Sequence, residues 1–195
     1  MPNSIREMRR RAPLHYEAKA DNARVVARII LDTSDAAQAQ AASSIGYTGS
    51  TGIALRESFL RECSIALELV VKAVIAQKIE MKRSNKKVTT VPSSHDLVML
   101  WATAGLPELS LEDRETLVIA RRVLNWAGRY AAPKNDERED KLYSEERRYL
   151  KDEPRPGELR IKKLRSIDWD QFDRLYKIAF EAFWSLRSEA NPELS

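Results

Sequence analysis

Cysteine and histidine are scarce in this chain, with one cysteine, Cys63, and two histidines, His15 and His95, among 195 residues. A lone cysteine forms no intrachain disulfide and cannot build a multi-cysteine zinc site, which fits a reducing compartment. Two isolated histidines and scattered acids lack the spacing of metal ligands, so neither a metal nor a cofactor is expected. Long apolar runs are missing as well, since no stretch approaches the ~20 residues that cross a bilayer. The opening MPNSIREMRRRAPLHYEAK has basic residues without the apolar segment of a secretory signal. A cytoplasmic location away from the membrane is expected. Three glycines gather in SSIGYTGSTG (43–52), but no lysine follows them. That excludes a Walker-type phosphate loop and leaves a flexible turn. No serine sits in a recognisable nucleophile turn.

Charge and helix-forming residues are plentiful. Hydrophobic residues at 43% and charged residues at 32% describe a soluble, folded chain of one domain. A net charge of +4 does not by itself argue for nucleic acid, but the charge is unevenly placed. Lys72 to Lys87 holds six basic residues and one acid, Glu80; Arg121 to Lys134 holds four basic residues and no acid. A solvated helix end, where cations suit the helix dipole, explains the first cluster as well as a binding face does.

Alanine-rich residues 17–42 predict a first long helix, with Ala23, Val26, Ala27, Ile30 and Leu31 on one stripe. After the glycine turn, a second runs from about Ile53 to Met81. Its centre, SIALELVVKAVI, is apolar nearly all round, which requires neighbours on several sides. Cys63 falls in this stretch and is expected in the core. Gly105 and Pro107 end a short helix from His95 to about Ala104, and Ser110 opens the next, with Leu117, Ala120, Val123 or Leu124 and Ala127 facing inward. Residues 134–167 read as a charged loop or insertion, because Lys134 to Arg165 carries eleven basic and nine acidic residues and the helix-breaking EPRPGE. A helical piece at 143–150 and a short strand at 159–164 are its only candidate elements. The last helix, 168–190, has Trp169, Phe172, Leu175, Tyr176, Ala179, Phe183 and Leu186 as its packing side, a stripe that suits a core or a dimer interface. The fold expected is all-α: an antiparallel helical bundle of about five helices, its core at about 17–133 and 168–190.

Polar residues inside this pattern raise the functional question. Glu68 and Lys72, at i and i+4, read either as an intrahelical ion pair or as a polar strip facing a cleft. In VPSSHDLVMLWATAGLP, Ser93 can act as N-cap with Asp96 three residues on, as in a capping box. That gives Asp96 a structural reason and leaves His95 without one.

Three segments, LRESFLRECSIALELVVKAVIAQK, SSHDLVMLWATAGL and LNWAGRYAAP, together resemble the HEPN superfamily of helical bundles from prokaryotic toxin–antitoxin pairs, phage-defence systems and RNA processing. Glu68 and Lys72, His95 to Leu97, and Trp126, Gly128, Arg129, Tyr130 and Pro133 carry the match, over about 80 residues from Leu55 to Pro133. The resemblance implies a bundle that usually dimerises and, in active members, metal-independent RNA cleavage by a paired Arg-x(4 to 6)-His motif. That motif is absent from the matched region. Arg10 and His15 have the spacing, but they lie in a proline-containing segment outside it.

These residues leave three readings open. In the first, an RNA- or nucleotide-binding module holds phosphate and stacks bases with Lys72, His95, Arg121, Arg122, Trp126, Arg129 and Tyr130. In the second, the chain is a catalytically inactive dimeric scaffold, partner to another protein of a defence or toxin–antitoxin module; Glu68 and Asp96 then belong to a structural cluster in which Arg129 pairs with an acid such as Glu68. In the third, it is a metal-independent ribonuclease with His95 or His15 as the catalytic candidate.

Overall fold

The computed structural model describes residues 12–84, 88–127 and 166–191, except the side chains of Trp126 and Ala127. The chain is all helical, with no strand among the described residues. Its elements are α1 (Pro13–Asp32), α2 (Asp35–Ser44), α3 (Thr51–Glu80), α4 (Leu97–Ala104), α5 (Leu111–Arg122) continued by a π turn (Val123–Ala127), and α6 (Trp169–Ala190). No described helix is long and apolar enough to cross a membrane.

The apolar centre of α3 explains the architecture. Ala66, Leu67, Ala73, Ile75 and Ala76 point in different directions around the helix and are all buried, so neighbours must surround it. α1, α4, α5 and α6 supply that cover. Arg24 of α1 pairs with Asp173 of α6 at 2.6 Å, and Arg83 beyond α3 pairs with Glu189 near the end of α6. α6 therefore ends beside α3. The predicted aromatic stripe of α6 is core: Phe172, Leu175, Tyr176, Ala179 and Phe183 are fully buried, and Trp169 and Leu186 pack at its edge. Burial pushes the Tyr176 phenol and the Cys63 thiol up, which makes Cys63 inert as a nucleophile. Burial also pushes Asp113 and Asp173 upward, but their hydrogen bonds outweigh it and hold both below the usual carboxylate range. Arg174 and Ser110 serve Asp113; Lys177 and Arg24 serve Asp173.

The structure corrects three local expectations. The predicted helix over 17–42 is two helices, broken at Thr33 and Ser34, whose backbones are extended. Hydroxyl chemistry makes the break: Thr33 Oγ1 donates to the Ile29 carbonyl, and Ser34 Oγ caps α2 by accepting from Ala37 N at 3.3 Å. The predicted stripe is only partly right, because Ala23 and Ala27 are buried while Val26 and Leu31 are 43% and 48% exposed. The inward face is instead Ala20, Ala23 and Ala27 with Tyr16 and Ile30 packed beside them. Third, Asp96, not Ser93, is the N-cap of α4, which starts at Leu97 rather than His95. Ser94 Oγ accepts from Asp96 N at 3.0 Å and holds the preceding chain out of the helix.

The other ends follow the sequence. Gly105 closes α4 in the left-handed conformation at φ 63°, which favours glycine, while Lys78 of α3 donates to the Ala104 carbonyl. Ser110 caps α5 through Asp113 N, and Leu117, Ala120, Val123 and Leu124 are buried as predicted. Ala127 was assigned to the same face, but its side chain lies outside the described residues. Of residues 134–167 only Ser166 and Ile167 are described, and Ile167 is core, so the charged segment does not extend to 167. The candidate elements at 143–150 and 159–164 lie outside the described residues.

One buried group conflicts with the packing around it. Gln77 is fully buried, and neither its amide nitrogen nor its amide oxygen has a hydrogen-bond partner among the described residues. Leaving such a group unpaired costs about 1–3 kcal/mol. Gln77→Met, similar in shape and apolar, is expected to raise stability by about that much. Urea unfolding of the two proteins checks it; an unchanged or lower midpoint means that the amide is satisfied in solution.

Candidate functional site

Glu68 and Lys72 sit one turn apart on α3, where every neighbouring position is apolar. Both are buried, at 7% and 6% exposure, so neither charge is screened as a surface pair is. Lys72 Nζ donates to Glu68 Oε1 at 2.6 Å, and His95 Nδ1 lies 2.8 Å from Glu68 Oε2. A carboxylate only accepts, so Nδ1 carries the proton in this contact. Both carboxylate oxygens are thereby engaged, one by each partner. The loop before α4 is tied to α3 by this contact, which supplies the structural reason that the sequence withholds from His95.

Next to His95, Asp96 has two tasks. Its Oδ1 accepts from Met99 N at 3.1 Å and caps α4; its Oδ2 accepts from Arg121 Nη1 at 2.9 Å. A polar seam therefore runs from Lys72 through Glu68, His95 and Asp96 to Arg121, joining α3, α4 and α5.

The seam is exposed at His95 and Asp96, whose side chains are 38% and 36% accessible, and its buried Lys72 end borders a groove. Lys72 lines a groove of about 990 Å³ whose floor is α3, through Lys72, Ala76, Ile79 and Glu80. The facing wall is the segment Thr89–Ser94, and Tyr16 of α1 also lines it. Tyr16 lies near the start of α1 and Ile79 near the end of α3, so these helices run antiparallel. Ser94 adjoins His95, which is anchored to Glu68, so the hydroxyl segment is pinned at the Lys72 end of the groove. An ammonium has three donors, of which Glu68 takes one. Lys72 can therefore stay paired and still donate to an anion.

The predicted site residues divide accordingly. Lys72, Glu68 and His95 come together, although His95 stands behind Ser94 rather than among the residues lining the groove. Arg121 turns inward onto Asp96, is 8% exposed and belongs to the seam rather than to the groove. Arg122 follows it, half-buried, and does not line the groove. Trp126 falls in the π turn, its side chain outside the described residues, and Arg129 and Tyr130 lie outside them altogether. Among the described residues Glu68 meets Lys72 and His95, and the expected tie to Arg129 lies outside them. His15 is exposed on α1, and its partner in the spacing, Arg10, lies outside the described residues.

Neither family models, nor curated proteins, nor solved structures match this chain. Function rests on the site.

Tyr16, Glu80, Thr89, Thr90 and Ser94 are site residues that sequence reasoning missed, and Ser93 was read only as a cap. The signal was the density of hydroxyls in VTTVPSS, which reads as an ordinary polar loop until the fold lays it against Lys72.

Proposed function

We propose that this protein is an RNA- or nucleotide-binding module of HEPN type, acting in a prokaryotic defence or toxin–antitoxin setting without the ribonuclease motif. The observation that carries the binding reading is Lys72: a buried, carboxylate-anchored ammonium that keeps donors for a ligand in an open groove. The hydroxyls of Thr90, Ser93 and Ser94 add neutral donors suited to phosphate oxygens, and Tyr16 offers an aromatic surface to a base. The volume suits a small-molecule ligand. His95 is a positioning residue here: it holds Glu68, and through Glu68 the ammonium.

Adenosine monophosphate and a short single-stranded RNA, each tested by thermal melting, distinguish the outcomes. A ligand at 100 times its Kd stabilises by about 2.7 kcal/mol, a rise of several degrees for a chain of this size. Ser93→Ala combined with Thr90→Val is expected to leave the unliganded melting temperature within about a degree, because both lie in a solvent-facing loop. It should remove most of the shift. No shift with either ligand overturns the proposal.

A different face favours an additional homodimeric role. α2 buries no residue, and a ten-residue helix is marginal in water by itself. Beside it in the chain, Val25, Ile29, Ile45 and Ile53 are 51%, 61%, 79% and 60% exposed. Light scattering is expected to give twice the 22.3 kDa chain mass, and Ile29→Asp to return the monomer. A wild-type monomer contradicts the dimer and leaves the groove untouched.

A further inference from the structure

The groove is electrically polarised. Lys72 stands at one end of its α3 floor and Glu80 at the other, with Ala76 and Ile79 between them. Eight residues of helix separate the two, about 12 Å at 1.5 Å per residue. Glu80 is half exposed and forms a long ion pair with Arg187, Nη1 to Oε1 at 3.8 Å, which offsets part of its charge but is too long for a hydrogen bond, so the carboxylate keeps its acceptor capacity.

A polynucleotide running along this floor would place one phosphate at Lys72 and bring another toward Glu80, where like charges repel. A ligand with a phosphate at one end and hydrogen-bond donors at the other meets no such conflict. Its phosphate faces Lys72, Ser93 and Ser94, its middle lies over Ala76 and Ile79, and its donors reach Glu80. The separation is close to the reach of an extended nucleoside monophosphate from phosphate to base edge. Resting on the groove reading above, we infer that the site takes a single phosphate monoester with a donor-bearing far end, of the nucleoside monophosphate class, rather than an RNA chain, and that Glu80 makes this choice.

Calorimetric titrations with adenosine monophosphate, adenosine and a hexaribonucleotide lacking terminal phosphates test this on the wild-type protein and on Glu80→Lys. The substitution lies at the last residue of α3, half exposed, where a cation suits the helix dipole; it gives up the long surface pair with Arg187, which contributes little to stability, so the fold is retained. Adenosine is expected to bind at least about tenfold more weakly than its monophosphate, the worth of a charge-assisted hydrogen bond. The hexamer is expected to bind no tighter than the monophosphate. Glu80→Lys should weaken the monophosphate by about tenfold and strengthen the hexamer by a similar factor. A hexamer that binds the wild type more tightly than the monophosphate, with a salt slope of several phosphates, overturns the single-ester inference and keeps the groove as an RNA site. Adenosine binding as tightly as its phosphate ester overturns the polarity. Failure of all three ligands overturns both the inference and the binding reading beneath it.

Discussion

Glu68→Ala is expected to lower the unfolding free energy by about 3–5 kcal/mol, the cost of leaving a buried cation without its partner. The effect is this large because Lys72 is 6% exposed and has no other carboxylate within ion-pair distance among the described residues. His95 loses its anchor in the same variant, so the Thr89–Ser94 wall is expected to loosen along with the core. Removing both charges together should behave differently. A Glu68→Leu, Lys72→Met pair replaces the ions with apolar groups of similar volume, and such replacements are often neutral or stabilising. The double variant is therefore expected to recover most of the loss. Urea unfolding monitored by circular dichroism checks both. A loss below about 1 kcal/mol for Glu68→Ala would place the pair with solvent-screened surface bridges instead.

Asp96→Ala comes next, at about 3 kcal/mol from two separable contributions. Loss of the N-cap accounts for about 1 kcal/mol, and loss of the charged hydrogen bond from Arg121 for about 1.5–3 kcal/mol. Asp96→Asn separates them. It keeps an oxygen for Met99 N while removing the charge that faces Arg121, and should recover about the 1 kcal/mol of the cap. Equal losses in the two variants would mean that the cap contributes nothing and Arg121 everything. Equal stability of Asp96→Asn and wild type would mean the reverse.

The two carboxylates also show where sequence reading succeeds and where it stops. Helix identities were legible because they rest on local periodicity. α3 is apolar all round and central, the aromatic stripe of α6 is core, and Ser110 and Gly105 mark the helix ends as their residue types require. The break at Thr33 was not legible, because two hydroxyls in an alanine-rich run are tolerated inside many helices, and here local bonds to Ile29 and Ala37 decide the outcome. The cap of α4 was misplaced by three residues because Ser93, Ser94 and Asp96 are all good caps, and Ser94 settles the choice by holding Asp96 N.

At the site, the pairing of Glu68 with Lys72 follows from their spacing, but its burial and its link to His95 do not. That link spans 27 residues of sequence and depends on how the Thr89–Ser94 segment returns along α3. Arg121 looked like a phosphate ligand because it is a helix-end arginine in a basic run. In the fold its guanidinium meets Asp96, a contact that the sequence does not announce. Glu80 was the one acid in a basic cluster, noted for its rarity and not for its position at the far end of a groove.

A crystal structure of the protein with adenosine monophosphate tests the central claim most directly. The groove reading predicts density for the phosphate within hydrogen-bonding distance of Lys72 Nζ and the Ser93 hydroxyl, with the Lys72–Glu68–His95 contacts unchanged. A phosphate bound elsewhere on the molecule, with the groove empty at the same ligand concentration, would contradict it.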